Sequence, residues 1–515
     1  MRFIITLCYI LCVGIAFAQV KPASVFGHHM VLQRDMPVPV WGTAKADEKI
    51  TLELNGQKQK TKADVAGRWS VVFSPMEIGG PYTLKIAGKN TITLTDIYIG
   101  EVWLCSGQSN MDMTVAREDR YWCGVYNEQE EVANANYPLI RMFDVDFNPT
   151  DEPQTEVNGT WEVVSPQTIG HLSATAYFFA RDLYTKYKVP IGLITTAYGA
   201  STAEAWVSRP ALQSHPQLSF LLEDYTKKCA AYDTSYTARK KYTAAYTTWK
   251  TAAAKAVAEG KDKPREPKNP DPHRDQHNPA VLYNGMIAPL VPYAIRGAIW
   301  YQGESNGPTA RLYDILMETL IATWRKDWKQ GDFPFFYVQL ANHQALVTDP
   351  VKDDPMVWVR DAQLRNLSIP NTGMAVAIDN ANPDDPNDIH PKNKQAIGKR
   401  LALIAQAKVY GEKGLEYSGP LYSRMQVEGN AIRIYFDHVG KALKIQGDTL
   451  HGFAIAGADK QFVWGTARVD GNAVIVYSPE VKEPVAVRYN WSKNPPGNLY
   501  NEAGLPASPF RTDSE

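Results

Sequence analysis

Between residues 20 and 100 the chain runs in short apolar stretches, rich in β-branched residues and broken by turns. Val38-Pro39-Val40-Trp41, Ile50-Thr51-Leu52-Glu53-Leu54, Trp69-Ser70-Val71-Val72-Phe73 and Tyr82-Thr83-Leu84-Lys85-Ile86 approach a period of two, and Asn55-Gly56 and Gly79-Gly80-Pro81 supply turn chemistry between them. One apolar face per strand predicts a small β-sandwich over residues 19–98. The pattern then changes. Glu101-Val102-Trp103-Leu104-Cys105, Ile191-Gly192-Leu193-Ile194-Thr195 and the runs 295–301 and 335–340 are apolar almost throughout, and helical periodicity lies between them, as over Ala174–Tyr187. Strands apolar on both faces and separated by helices predict a parallel sheet covered on both sides, an α/β domain over residues 99–412. It closes with a helix over 391–410, where Ile397, Leu401 and Ile404 repeat at helical spacing before Gly411. From 413 to 515 short runs such as Ile432-Arg433-Ile434-Tyr435-Phe436 and Ala473-Val474-Ile475-Val476-Tyr477 predict a second β domain.

One segment interrupts the α/β grammar. Residues 211–259 are rich in Ala, Lys and Tyr, and the proline-heavy stretch 263–279 follows, so 211–275 reads as an inserted helical hairpin with an irregular return strap. Tyr232, Tyr236, Tyr242, Tyr246 and Trp249 recur at nearly helical spacing. Such a stripe more often packs a hairpin together than lines a carbohydrate cleft, so a packed face is expected.

The N-terminus differs from everything after it. Met1-Arg2, an apolar run from Phe3 to Phe17 and Ala16-Phe17-Ala18 predict a signal peptide over 1–18, cleaved near Ala18, and export to a periplasm or the exterior. The run falls short of the roughly 20 residues of a bilayer span. Cys12 follows Ile10-Leu11 rather than a small residue, which disfavours a lipid anchor, and no later segment predicts a membrane span. Cys105, Cys123 and Cys229 then remain; one disulfide, Cys105 with Cys123, is allowed, and none has a metal-ligand spacing. With 515 residues, 44% hydrophobic, 21% charged and a formal net charge of -1, the composition is that of a multidomain globular protein with no field to attract nucleic acid.

Candidate chemistry gathers in four polar loops at ends of predicted elements. Gly107-Gln108-Ser109-Asn110-Met111 follows a buried strand, which places the Ser109 hydroxyl at the carboxyl edge of the sheet. Alone, such a serine is no more than a helix N-cap, and the run is not a GxSxG elbow. Asp388-Ile389-His390-Pro391 precedes the last helix of the same domain: His390 can accept the serine proton and Asp388 can hold its second ring nitrogen. Tyr198-Gly199-Ala200-Ser201 with Glu204-Ala205-Trp206, and Trp300-Tyr301-Gln302-Gly303-Glu304-Ser305-Asn306, complete the set. The N–H groups of Ser109 and Gly199 and the Gln302 amide are candidate oxyanion donors. His273 and His277 lie four apart, but in a strap of Pro and Asp, so a metal pair is not supported.

At these loops the chain resembles the sialate O-acetylesterase family, a branch of the SGNH-type hydrolases. The likeness extends to Met30-Val31-Leu32-Gln33 and Tyr283-Asn284-Gly285-Met286-Ile287 and so covers nearly all of the mature chain. It implies a three-layer α/β/α domain flanked by β-sandwich-like domains, and hydrolysis of O-acetyl esters on sugars without cofactor or metal. It puts the nucleophile, the base and the base's aspartate partner on Ser109, His390 and Asp388, with Ser109, Gly199 and Gln302 in the oxyanion hole. Relatives often carry Gly-Gly-Thr where this chain has Gly199-Ala200-Ser201. Other readings are an esterase acting on acetylated xylan or another polysaccharide, and a carbohydrate-binding protein that has lost activity; the complete Ser, His and Asp set argues against the latter.

Overall fold

The computed structural model describes residues 19–118, 120–259, 261 and 263–513. The predicted signal segment 1–18 lies outside the described residues. The central sheet is built on β1 (Thr91–Gly107), β2 (Tyr137–Asp144), β3 (Trp161–Val164), β4 (Ile191–Ala197), β5 (Gly297–Tyr301), β6 (Phe335–Gln339) and β7 (Thr372–Val376). Their order is β3-β2-β4-β1-β5-β6-β7, and every neighbouring pair is parallel except the edge pair β3 and β2. The helices used below are α1 (Ser109–Asp112), α2 (Ala174–Tyr187), α3 (Ser219–Thr234), α4 (Tyr236–Ala258), α5 (Tyr313–Trp328), α6 (Pro355–Arg365) and α7 (Lys394–Lys408).

β1 changes character along its length. Up to Tyr98 exposed and buried positions mix, whereas every residue from Ile99 to Gly107 is buried. In that second half, Val102 and Leu104 join one core with Trp300, Trp324 and Val359. Trp103 and Cys105 face the other, with Phe178, Phe179, Leu401 and Ile404. Alternate side chains of one strand thus enter two different cores, which is why the run is apolar without a break. Helices α5 and α6 cover the first face, and α2 and α7 the second. This is the three-layer arrangement expected of an SGNH-type domain.

The first half of β1 belongs to the N-terminal β layers. It pairs antiparallel with Gly79–Ala87, and its end pairs in parallel with Val31–Gln33. A separate three-stranded sheet of Lys21–Pro22, Val38–Thr43 and Arg68–Phe73 lies with it around Val40, Leu52, Trp69 and Ile86. One continuous strand therefore crosses the position 98/99 at which the pattern of the sequence changes. Beyond α7, two four-stranded antiparallel sheets enclose Ile434, Phe453, Val474, Val487 and Phe510. Among the described residues no helix is long and apolar enough to cross a membrane.

One pairing left open is decided here and one expectation is corrected. Cys105, Cys123 and Cys229 are all free thiols, and Cys105 is sealed within the sheet with its Sγ turned to the Trp103 carbonyl. The hairpin of α3 and α4 forms, but its aromatic stripe does not pack it: Tyr236 is 70% and Tyr246 37% exposed, and Ala253 is the buried residue of α4. An Ala- and Lys-rich pair of helices offers few large side chains to close over those rings.

The C-terminal β sheets are fastened to the α/β core by Arg360 of α6. Its guanidinium is fully buried and donates to the carbonyls of Leu340 (3.0 Å), Ala341 (2.5 Å), Ser492 (2.8 Å) and Lys493 (2.9 Å). Burial lowers its pKa to about 10 against the pull of Asp354 and Glu304. Arg360→Met leaves these carbonyls without their donor and is expected to cost about 3 kcal/mol. Urea unfolding checks this, and an unchanged midpoint would contradict it.

Candidate active site

Three loops meet where β4, β1 and β5 end side by side. Gly107, the last residue of β1, lies in register with Ala197 of β4 and Tyr301 of β5. Beyond it the Gln108 N–H donates to the Tyr301 carbonyl (3.0 Å), and the Tyr198 N–H donates to the Gly107 carbonyl (3.1 Å). Gly107 has φ +146°, and a β-carbon there would sit 2.1 Å from the Tyr301 carbonyl oxygen, so glycine alone permits this turn. Helix α1 starts immediately, with Ser109 at its head and only 7% exposed. At that first position its N–H has no carbonyl of the same helix to bind. Gly199 approaches from the β4 loop, close enough that an added β-carbon would lie 3.8 Å from the Ser109 Cβ.

The second half of the site stands on the loop before α7. The Nδ1 of His390 lies 3.1 Å from Asp388 Oδ1, and the His390 N–H donates to the same oxygen at 3.0 Å. Asn382 donates to Asp388 Oδ2 (3.1 Å) and to the His390 carbonyl (3.0 Å), which holds the pair from behind. Partial burial works to raise the Asp388 pKa, but its bonds to His390 prevail and hold the carboxyl below the usual range.

Asn110 joins the two halves. Its amide nitrogen donates to the carbonyl of Ile389 (3.1 Å) and to Glu304 (2.5 Å), while its oxygen accepts from the Lys394 ammonium (2.6 Å). The residue after Ser109 is thereby bonded to the residue before His390. Trp122 packs on the imidazole with ring centroids 4.8 Å apart, and Arg120 lies over Trp122 while pairing with Asp112 at 3.0 Å. Burial raises the Asp112 pKa, and Arg120, His390 and the Gly199 N–H all act on it in the opposite sense.

Gln302 requires a correction. It is fully buried, and its amide nitrogen donates to the Ser201 carbonyl (3.0 Å) and to Asn306 (2.6 Å), while its oxygen accepts from the Tyr313 hydroxyl (2.8 Å). Both amide hydrogens are committed within the loop, so this side chain braces the β4 and β5 loops instead of reaching an oxyanion. Glu304 also points inward, to Asn110. His273 and His277 each pair with a neighbouring carboxylate, Asp271 (2.8 Å) and Asp275 (2.5 Å).

Asn110, Asp112, Trp122 and Lys394 escaped the sequence reading as site residues. Asp112 falls three residues after Ser109, so one helical turn puts both on the same face, a signal that was available. Lys394 opens α7, beyond the loop that carries His390, so no helical spacing links the two. Nothing near Trp122 marks it, since its role depends on a strap folding over a distant loop.

The sequence profile described as "Carbohydrate esterase, sialic acid-specific acetylesterase" matches residues 99–233 and 275–407, just over half of the chain. The chain belongs to that family. This esterase is 30% identical to the sialate O-acetylesterase of Rattus norvegicus, over 96% of this chain and 94% of the relative. The Homo sapiens enzyme of the same name is 30% identical over 80% of this chain and 75% of its own. A carbohydrate acetylesterase structure from Xanthomonas citri superposes with a TM-score of 0.79 at 34% identity, covering 96% of this chain and all of the other. The protein is a carbohydrate O-acetylesterase.

Beneath the site of the esterase, Lys394 and Glu304 form a buried pair bridged by Asn110. Burial raises the Glu304 pKa and lowers that of Lys394 to about 7, each against the attraction of the opposite charge. Above pH 7 the folded chain therefore holds the amine neutral, while an unfolded chain keeps it charged up to 10.5. The unfolded state binds more protons in that window, so the contribution of Lys394 to stability rises with pH across it. Between pH 7 and 9 the wild type should gain roughly 2 kcal/mol relative to Lys394→Met. Denaturant melts of both proteins at the two pH values measure this, and parallel pH profiles would refute it.

Proposed function

We propose that the esterase removes O-acetyl groups from sialic acids by acyl transfer through Ser109. The Ser109 hydroxyl attacks the acetyl carbonyl carbon as His390 takes its proton. Asp388, on Nδ1, orients the ring and stabilises its charged form. His390 then returns the proton to the sugar oxygen as the C–O bond breaks, which leaves an acetyl-serine. Water, giving its proton to His390, then attacks the acetyl carbon, and His390 returns that proton to Ser109 Oγ as the acyl C–O bond breaks and acetate leaves. Charge developing on the carbonyl oxygen falls to the N–H groups of Ser109 and Gly199.

The observation that carries this reading is the Asn110 bridge, which fastens the Ser109 turn to the His390 loop while Asp388 holds the imidazole. Gln302 supports the loops and is not assigned a donor role. The sugar assignment draws on the family and on relatives named sialate O-acetylesterase. We further infer an exported enzyme whose segment 1–18 is a cleaved signal, with units at 19–98, 99–412 and 413–515, the middle one carrying the insertion 211–275.

Ser109→Ala should lower acetate release from 9-O-acetyl-N-acetylneuraminic acid by about 10³-fold or more while leaving thermal unfolding unchanged. Retained activity would remove Ser109 from the mechanism. A wild type that deacetylates xylan but no sialic acid would transfer the proposal to a different glycan.

A further inference from the structure

The profile of the family breaks off at residue 233 and resumes at 275, so the intervening stretch, α4 and its return strap, lies outside the matched ranges. That stretch forms one wall of a groove of about 530 Å³ that ends against the catalytic loops. Tyr242 and Tyr246 of α4, Arg265 and Lys268 of the strap, and Phe147 and Tyr198 line it.

Several contacts make this a built feature. Tyr242, Tyr246 and Trp249 form a ladder with centroids 5.7 and 5.3 Å apart, and the Trp249 indole N–H donates to the Pro264 carbonyl (2.7 Å), pinning the strap to the helix. Phe147 and Tyr198 stack face to face at 3.4 Å and 11°. Tyr198 precedes Gly199, whose carbonyl accepts from Gln276 on the groove wall (3.4 Å). Burial raises the Tyr198 phenol pKa, and the Asp112 and Glu266 carboxylates push it the same way. Tyr198 lines the groove and also donates its N–H to the Gly107 carbonyl (3.1 Å), two residues before Ser109.

Flat, partly exposed rings beside guanidinium, ammonium and amide donors suit a chain of pyranose sugars, whose C–H faces stack on aromatics while their hydroxyls accept hydrogen bonds. The exposed stripe also has no packing role in the hairpin to account for it. We propose that this groove binds the oligosaccharide that carries the acetylated sugar, with the sugars next to the ester passing Tyr198 and stacking on Tyr242 and Tyr246. The proposal rests on the reading of Ser109 as nucleophile and extends it from a single sugar to a glycan chain.

The test compares each acetylated sugar alone and within a chain: 9-O-acetyl-N-acetylneuraminic acid with 9-O-acetylated sialyllactose, and O-acetylated xylose with O-acetylated xylohexaose. 4-Nitrophenyl acetate serves as the chainless control. In whichever series is cleaved, wild type should prefer the chain by about tenfold in kcat/KM. The double variant Tyr242→Ala, Tyr246→Ala should lose that preference through KM, with unchanged rates on the control and on the free sugar. Tyr242→Phe, Tyr246→Phe should keep it, because stacking needs the ring and not the hydroxyl. Equal rates on free and chain-borne sugar in the wild type, or a loss in the alanine variant that extends to 4-nitrophenyl acetate, would overturn the proposal. Activity that survives Ser109→Ala would instead refute the nucleophile, and the chain preference would still be read independently.

Discussion

The active site depends on the close approach of three parallel strands at one level of the sheet. Gly107 ends β1 in register with Ala197 and Tyr301, and its missing side chain lets the backbone turn within contact of the Tyr301 carbonyl. A larger residue would push β1 and β5 apart there. Everything that follows inherits this register: Ser109 heads its helical turn, Gly199 faces it from β4, and Gln302 locks the β5 loop to Ser201. Packing sustains the arrangement from both sides, since each buried strand feeds two cores at once and cannot slip without turning its side chains into the wrong one.

A polar network is the second constraint. Asn110 bonds Glu304 Oε1, Lys394 and the Ile389 carbonyl together, so the Ser109 turn and the His390 loop are held by groups with little access to water. Such a network rigidifies when its members are matched and becomes costly when one is lost. It also explains why Glu304 and Lys394 face inward from motifs that otherwise look catalytic. Their task is to position Asn110, and through it the distance between two loops that are far apart in sequence.

The outer surroundings follow a looser logic. The segment bearing Arg120 and Trp122 packs on the imidazole, and α4 with its return strap lines a groove that reaches Tyr198. Rings that would normally be buried within a helical hairpin stay partly open here. Such rim elements can vary without disturbing the sheet, because none of them contributes to the register of the strands beneath.

The sequence by itself determined the fold class and pointed to Ser109, Asp388 and His390. Unbroken apolar runs reveal strands buried on both faces, and Asp-x-His brings its own carboxylate to the imidazole through a local bond that needs no distant partner. Only the tertiary structure decided what the polar side chains between them do. A glutamine or glutamate in a loop reads the same whether it faces substrate or braces a neighbour, and the committed hydrogens of Gln302 and the inward turn of Glu304 depend on contacts tens to hundreds of residues away. The aromatic stripe of α4 is a parallel case: helical spacing reveals that the rings share a face, but what covers that face is set by the strap and by Tyr198. Pattern along a chain reports burial and periodicity, while the partner of a polar group is a property of the folded whole.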